Sequence, residues 1–140
     1  MNDACQGVSH ITFIVRDLRR MALVLCEGLG ATELYDSAGT NFSLSREKSF
    51  HLGGVWIAAM EGEPAAERSY QHVAFKVAPE ELPRYQERLE RLGLEIRPPR
   101  NRVPGEGESL YFYDFDNHLF ELHTGTLEER LNHYQPGGVP

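Results

Sequence analysis

Lysine is almost missing from this chain. Of its 14 basic residues only Lys48 and Lys76 are lysines, and 21 acidic residues outnumber the whole basic set, for a formal net charge of −7 and a pI near 5.3. Such a balance excludes nucleic acid and anionic membrane as expected partners. Cysteine is nearly absent too. Cys5 and Cys26 are too few for a disulfide framework and form no spaced pair of the soft-metal kind. No apolar run is long enough to span a bilayer. Residues 1–7 carry neither the basic start nor the apolar stretch of a secretory signal, so the expected location is cytoplasmic. Cys26 lies in an apolar helical stretch and is expected in the core rather than as a reactive thiol.

What is present is an ordinary globular composition, 41% hydrophobic and 25% charged over 140 residues. That length allows one domain with a real core, or two small half-domains fused. Period-two alternation with β-branched and aromatic residues predicts strands over 8–16, 31–36, 42–48, 55–60, 70–77, 94–97, 110–113 and 119–124. Residues 42–48 read equally as an extended loop. Asp17 is a good N-cap for a helix whose apolar stripe is Leu18, Met21, Ala22 and Leu25, closed by Gly28 or Gly30. Pro79 suits the first turn of a second helix over 80–92, with Leu82, Tyr85, Leu89 and Leu92 on one face. A short helix is expected over 126–131.

The order is therefore βαβββ, a linker over 61–68, and βαβββ again. Setting His10 on His72 aligns Ile11 with Val73, Phe13 with Phe75 and Val15 with Val77, which points to an internal duplication. The expectation is a single α+β domain over 1–140, with modules at about 8–61 and 69–131 and a flexible tail over 132–140.

Strand parity then brings out three residues. If Ile11, Phe13 and Val15 face the first helix, His10 and Thr12 occupy the other, concave face. By the same rule His72 and Ala74 lie opposite Val73 and Phe75, and Glu121 lies opposite Phe120 and Leu122. Two imidazoles and a carboxylate suit Mn²⁺, Fe²⁺, Zn²⁺, Co²⁺ or Ni²⁺. The counterpart of Glu121 in the first module is Ala58 or Ala59, which cannot ligate. Three protein ligands leave positions open for water or substrate, as in a catalytic site. A lone histidine at a strand end is usually solvated or capping. His51, His118, His123 and His133 are placed in that class, and the weight rests on the set of three.

At these residues the sequence resembles the vicinal oxygen chelate superfamily, which includes glyoxalase I, extradiol dioxygenases and fosfomycin-resistance proteins. The segments that carry it are Ser9-His10-Ile11-Thr12-Phe13-Ile14-Val15-Arg16-Asp17-Leu18, Glu67-Arg68-Ser69-Tyr70, Tyr111-Phe112-Tyr113-Asp114 and Phe120-Glu121-Leu122-His123-Thr124-Gly125. The segment Ser43-Leu44-Ser45-Arg46-Glu47-Lys48 resembles the FosX-type epoxide hydrolases within the fosfomycin group. The resemblance implies a domain-swapped homodimer of paired βαβββ modules, in which His10 of one chain joins His72 and Glu121 of the other. It implies Mn²⁺ as the metal and fosfomycin, a small epoxide bearing a phosphonate, as the substrate. By motif, Thr12, Ser109, Tyr111 and Arg130 would hold the phosphonate, and Trp56 and Tyr70 would line the pocket. Related thiol transferases carry a lysine and an extra serine before Ser109, and a monovalent-cation loop. Here the stretch is Arg100-Asn101-Arg102-Val103-Pro104-Gly105, the cation loop is not recognisable, and Arg100 is the candidate for the lost charge, with Arg102 on the same loop as the alternative contact to the phosphonate. Water needs a base, and Glu47 is the free carboxylate near the first module's concave face. Flanked by Arg46 and Lys48, it would ordinarily read as a surface salt-bridge residue. Two other functions stay in view. One is a thiol transferase opening the same epoxide, for which no such base is needed. The other is a metal-free protein that sequesters the drug. Isomerase or dioxygenase chemistry would leave the phosphonate-binding set unexplained.

Overall fold

The structure is a computed structural model describing residues 4–40, 42–99 and 102–135. It is α+β, with two four-stranded sheets in two compact units, Met1–Ala66 and Glu67–Pro140. Among the described residues no helix is long and apolar enough to cross a membrane.

The first unit begins with β1 (His10–Val15), which runs directly into helix α1 (Leu18–Ala22). Asp17 caps that helix: its backbone is extended, and its Oδ1 accepts from the N–H groups of Arg19 and Arg20 at 2.9 and 3.1 Å. The expected single helix is interrupted, because Leu23–Gly28 continues as π-helical turns. The apolar side is nevertheless kept, with Leu18, Met21, Val24 and Leu25 all buried. Cys26 is half-buried, and burial pushes its thiol pKa up, which suits an inert residue.

Strands β2 (Thr32–Asp36), β3 (Glu47–Leu52) and β4 (Val55–Glu61) follow, in the sheet order β1-β4-β3-β2. Of the two readings of 42–48, the loop holds as far as Arg46, and the strand reading is corrected by several residues. The third strand starts at Glu47, where that over 42–48 was to be ending, and runs on to Leu52. Phe42 and Leu44 suggested a buried alternation, but they are 84% and 96% exposed, whereas Phe50 is fully buried opposite Ile57. Burial of that phenyl ring, and not the local pattern, sets the register.

The second unit repeats the plan. β5 (His72–Lys76) leads through a 3₁₀ turn, Pro79–Glu81, into α2 (Leu82–Arg91), then β6 (Glu95–Arg97), β7 (Ser109–Tyr113), β8 (Leu119–His123) and α3 (Leu127–Tyr134). The sheet order is β5-β8-β7-β6, matching the first unit strand for strand, with β5 parallel to β8 as β1 is to β4. Phe120 stacks between Phe75 and Phe112 at 6.3 and 5.4 Å between ring centres, and Leu89, Leu94, Leu110 and Leu122 complete the core. Helix α3 ends at Tyr134 and not near 131, so residues 132–134 belong to a helix rather than to a loose tail. Thr126 caps it by accepting from the N–H of Glu129.

The two registers identify the counterpart of the acidic ligand candidate. His10 pairs with Trp56 and Thr12 with Ala58, while His72 pairs with Leu119 and Ala74 with Glu121. Glu121 therefore corresponds to Ala58, one of the two alternatives left by the sequence.

Candidate functional site

In the first unit, one face of the sheet is ordered in rows. His10, Trp56 and His51 stand across β1, β4 and β3. Thr12, Ala58 and Ser49 form the next row, and Ile14, Met60 and Glu47 the one after. The odd-numbered residues of β1 are the ones that turn inward, with Phe13 and Val15 buried. His10, Thr12, Trp56 and Glu47 thus share the face left open. The His10 ring lies against the Trp56 indole at 4.3 Å, and Ser9 Oγ is 3.1 Å from His10 Nδ1. Trp56 Nε1 donates to Ser49 Oγ at 3.2 Å, which fixes the indole.

Glu47 does not behave as a surface ion-pair residue. Lys48 points to the opposite side of β3 and pairs with Glu33 at 2.8 Å and Asp36 at 3.5 Å, and Arg46 also pairs with Asp36. The flanking cations are thereby engaged elsewhere. Among the described residues the Glu47 carboxylate has no ion-pair partner, while its backbone is held on both sides by Ser37: its N–H donates to Ser37 Oγ at 2.9 Å and its carbonyl accepts from Ser37 N–H at 3.0 Å.

In the second unit the equivalent face carries His72 and Ala74 on β5, Glu121 and His123 on β8, and Ser109 and Tyr111 on β7. His72 Nδ1 lies 2.6 Å from the Tyr70 carbonyl oxygen. A carbonyl only accepts, so this nitrogen carries the proton, and Nε2 is turned toward Glu121 Oε1 at 3.0 Å. Two lone-pair atoms at that distance require a second ring proton or a metal cation between them. A histidine whose outer nitrogen is tied to a backbone carbonyl is the usual form of a metal ligand. Imidazole nitrogen beside carboxylate oxygen is a donor pair suited to a divalent transition metal. Among the described residues, no group of three or more histidine, cysteine, aspartate or glutamate side chains is arranged to hold a metal alone.

Glu121 is 6% exposed. Burial raises its pKa, but the Ser109 hydroxyl, His123, the Tyr111 hydroxyl and His72 outweigh this, holding the carboxyl below its usual range. Its Oε2 accepts from Ser109 Oγ at 2.5 Å. Ser109 is in turn 2.6 Å from Arg102 Nη2 and 2.7 Å from His123 Nδ1. Arg102 Nη2 also donates to the Tyr111 hydroxyl at 2.9 Å, and the Tyr70 hydroxyl stands 3.4 Å from that of Tyr111. Arg130 Nη2 lies 3.4 Å from His123 Nε2. A cavity of about 250 Å³ opens here, lined by Ala74, Glu121, His123, Gly125, Thr126, Leu127 and Arg130.

One residue of this network needs correction from the sequence reading. His123 was grouped with the solvated histidines, yet it bridges Ser109 and Arg130. The β7–β8 register, which sets Ser109 opposite His123, was the available signal. Arg100, the candidate for the loop charge, lies outside the described residues, and Arg102 is the loop arginine seated among Ser109, Tyr111 and Glu121. His118 stays a structural residue, bound to the buried Asp114 at 2.7 Å.

Residues 7–122 match the Glyoxalase/Bleomycin resistance protein/Dioxygenase superfamily. The chain is 60% identical over 126 residues to the fosfomycin resistance protein FosX of Mesorhizobium japonicum, covering 90% of this chain and 91% of that protein. A crystal structure of a glutamate-to-glutamine variant of FosX from Listeria monocytogenes, complexed with Mn(II) and 1S,2S-dihydroxypropylphosphonic acid, is similar with a TM-score of 0.85. The identity there is 50%, over 94% of this chain and 99% of that one. The metallothiol transferase FosB of Bacillus licheniformis is further away, 33% identical over 138 residues that cover 96% of this chain and 85% of that protein. Duplicated βαβββ topology, histidines at matched positions of β1 and β5, and identity that falls by nearly half between the two branches lead to one assignment: the chain belongs to the glyoxalase/bleomycin resistance/dioxygenase superfamily and, within it, to the FosX fosfomycin resistance proteins.

Proposed function

We propose that this protein is a Mn²⁺-dependent epoxide hydrolase that inactivates fosfomycin by adding water to give the vicinal diol. The observation that carries the reading is the His72–Glu121 pair, an imidazole nitrogen and a carboxylate oxygen 3.0 Å apart beside a cradle of hydroxyls and arginines. The ligand set is His10, His72 and Glu121, with His10 supplied by the second chain of a domain-swapped homodimer. When bound, Mn²⁺ supplies the Lewis acidity that makes an epoxide oxygen a better leaving group.

The chain's own residues do the rest. Ser109, Tyr111 and Arg130, with Thr12 from the first unit, hold the phosphonate through charge-assisted donors. Arg102 takes the place first given to Arg100 as the loop cation. Trp56 and Tyr70 wall the pocket and limit water. Glu47 accepts the proton of the attacking water as its oxygen bonds to the epoxide carbon. The epoxide C–O bond at that carbon breaks, and the oxygen left on the neighbouring carbon takes up a proton from solvent to become the second hydroxyl of the diol, while Glu47 gives its proton back to solvent. A thiol transferase has no use for such a base, and Glu47, open on the first unit's face, favours water as the nucleophile.

Incubation with Mn²⁺ and fosfomycin, with and without glutathione, followed by phosphorus NMR, tests this directly. Diol formed without thiol supports the hydrolase, and a product that requires thiol replaces it with a transferase. Loss of substrate signal with no new species indicates sequestration.

Arg130→Ala should weaken fosfomycin turnover and leave Mn²⁺ binding unchanged, because its partner is the phosphonate. A lost charge-assisted contact predicts about 1.5–3 kcal/mol of transition-state stabilisation, read as kcat/KM. Parent kinetics in this variant would reduce Arg130 to a helix-surface residue that only touches His123.

A further inference from the structure

The loop between β6 and β7 holds a buried acid with no part in the reaction described above. Glu106 is 3% exposed. A carboxylate taken out of water needs compensation from hydrogen bonds or charge. Its Oε1 accepts from the backbone N–H of Val103 at 2.8 Å, and its Oε2 lies 3.9 Å from Arg102 Nη1. On the far side of the same guanidinium, Nη2 meets Ser109, Tyr111 and, at 3.4 Å, Glu121 Oε2. Arg102 thus stands between two buried carboxylates at similar distances, and by Coulomb's law their pulls are comparable.

The loop itself is seated firmly. Glu108 N–H donates to Thr124 Oγ1 at 2.9 Å, and Thr124 N–H to the Glu108 carbonyl at 3.0 Å. A Cβ on Gly107, which has φ +74°, would meet Gly125 N at 2.7 Å, and one on Gly105, with φ +88°, would meet the His133 side chain at 2.7 Å. Glycine is required at both for the loop to lie this close to the β8–α3 junction. The backbone is therefore pinned at one end of the loop, while Glu106 pins it at Val103, next to Arg102.

We propose that Glu106 is a positioning residue for the anion cradle. It draws the guanidinium back from Glu121 and aims Nη2 at Ser109 and Tyr111, acting through Arg102 without touching substrate. Without its charge the pull of Glu121, already the nearer carboxylate at 3.4 Å, is unopposed by Glu106, and the guanidinium closes onto the carboxylate that is needed for the metal. The inference rests on the phosphonate reading of the cradle.

The test is a double-mutant cycle on the Mn²⁺-loaded protein, with the unreactive probe propylphosphonate titrated by calorimetry. Glu106→Gln keeps the acceptor for Val103 N–H and removes only the charge. It should weaken propylphosphonate binding about tenfold, the scale of coupling between contacting charged groups, and leave the melting temperature near the parent's. In an Arg102→Ala background the same change should alter affinity less than about twofold. The KM for fosfomycin should rise with the dissociation constant while kcat changes less. Equal effects in both backgrounds, or no effect in either, would overturn the positioning role. Should Glu106→Gln fail to fold, Glu106→Asp carries the same cycle, since it withdraws the charge from Nη1 by one methylene. A parent protein that does not bind propylphosphonate at all would defeat the phosphonate reading itself, and this inference with it.

Discussion

Glu47→Gln should give a folded protein that loads Mn²⁺ and binds fosfomycin, yet hydrates it roughly 10²–10⁴-fold more slowly, the usual contribution of a positioned base. Glutamine keeps the shape, and neither ligand in the proposed arrangement depends on the charge. The structure sharpens this expectation, because the Glu47 side chain has no ion-pair partner among the described residues whose loss could unfold the sheet. A structural role would instead lower the melting temperature, with activity following the folded fraction. Melting temperature, Mn²⁺ affinity and diol formation measured on one preparation separate the two. A stable, metal-loaded variant that works at the parent rate removes the base, and with it the main reason to prefer water over a thiol. Slow opening of the epoxide by added thiol could survive the substitution, since the phosphonate contacts remain.

His72→Ala should abolish turnover and reduce Mn²⁺ affinity beyond the roughly 10–100-fold that even an outer-shell change costs. Its ring is the one whose Nδ1 is fixed by Tyr70 and whose Nε2 meets Glu121. His10→Ala should do the same, and the two variants together test where the site is built. Co-refolded in equal amounts, they give mixed dimers as about half of the population. If each site takes His10 from one chain and His72 from the other, every mixed dimer has one intact and one doubly broken site. Activity should then return to about a quarter of the parent's. A site made within one chain predicts no recovery, since each chain carries one lesion. Absence of recovery, in dimers shown to have mixed, sinks the domain-swapped arrangement.

How much of this was legible beforehand depended on the kind of signal. The strand faces of His10, His72 and Glu121 could be read because strands have a period of two, so one known inward residue assigns every other. The duplication could be read because both copies keep an imidazole at the same strand position, and both sheets do have the same order. The start of β3 could not. Phe42 and Leu44 imitate a buried alternation, and only the burial of Phe50 against Ile57 shows which pattern is paid attention to by the core. The π-helical turns at Leu23–Gly28 were hidden because the apolar stripe is satisfied by either helix type. His123 was missed, and the choice between Arg100 and Arg102 was left open, for a related reason. Their roles come from cross-strand neighbours, and a loop arginine has no periodicity to give its direction. Ser109 was found by resemblance, but that one hydroxyl stands within hydrogen-bond reach of Glu121, Arg102 and His123 is a fact of register.

The paired registers also bear on how such a protein can change over time. Thr12 answers to Ala74, and Glu121 to Ala58, so each copy has an alanine where the other keeps a functional group. The two modules are thus equipped differently at equivalent positions. The base candidate sits in the first half, and the loop and helix arginines sit in the second. On the proposed roles, selection on how the nucleophile is activated would fall on one half of the gene, and selection on which anion is gripped on the other. A lineage can shift its choice of anionic partner through changes near Arg102 and Arg130 while inheriting its reaction type unchanged. Neither half can be discarded, because the alanines at 58 and 74 mark what each has already given up.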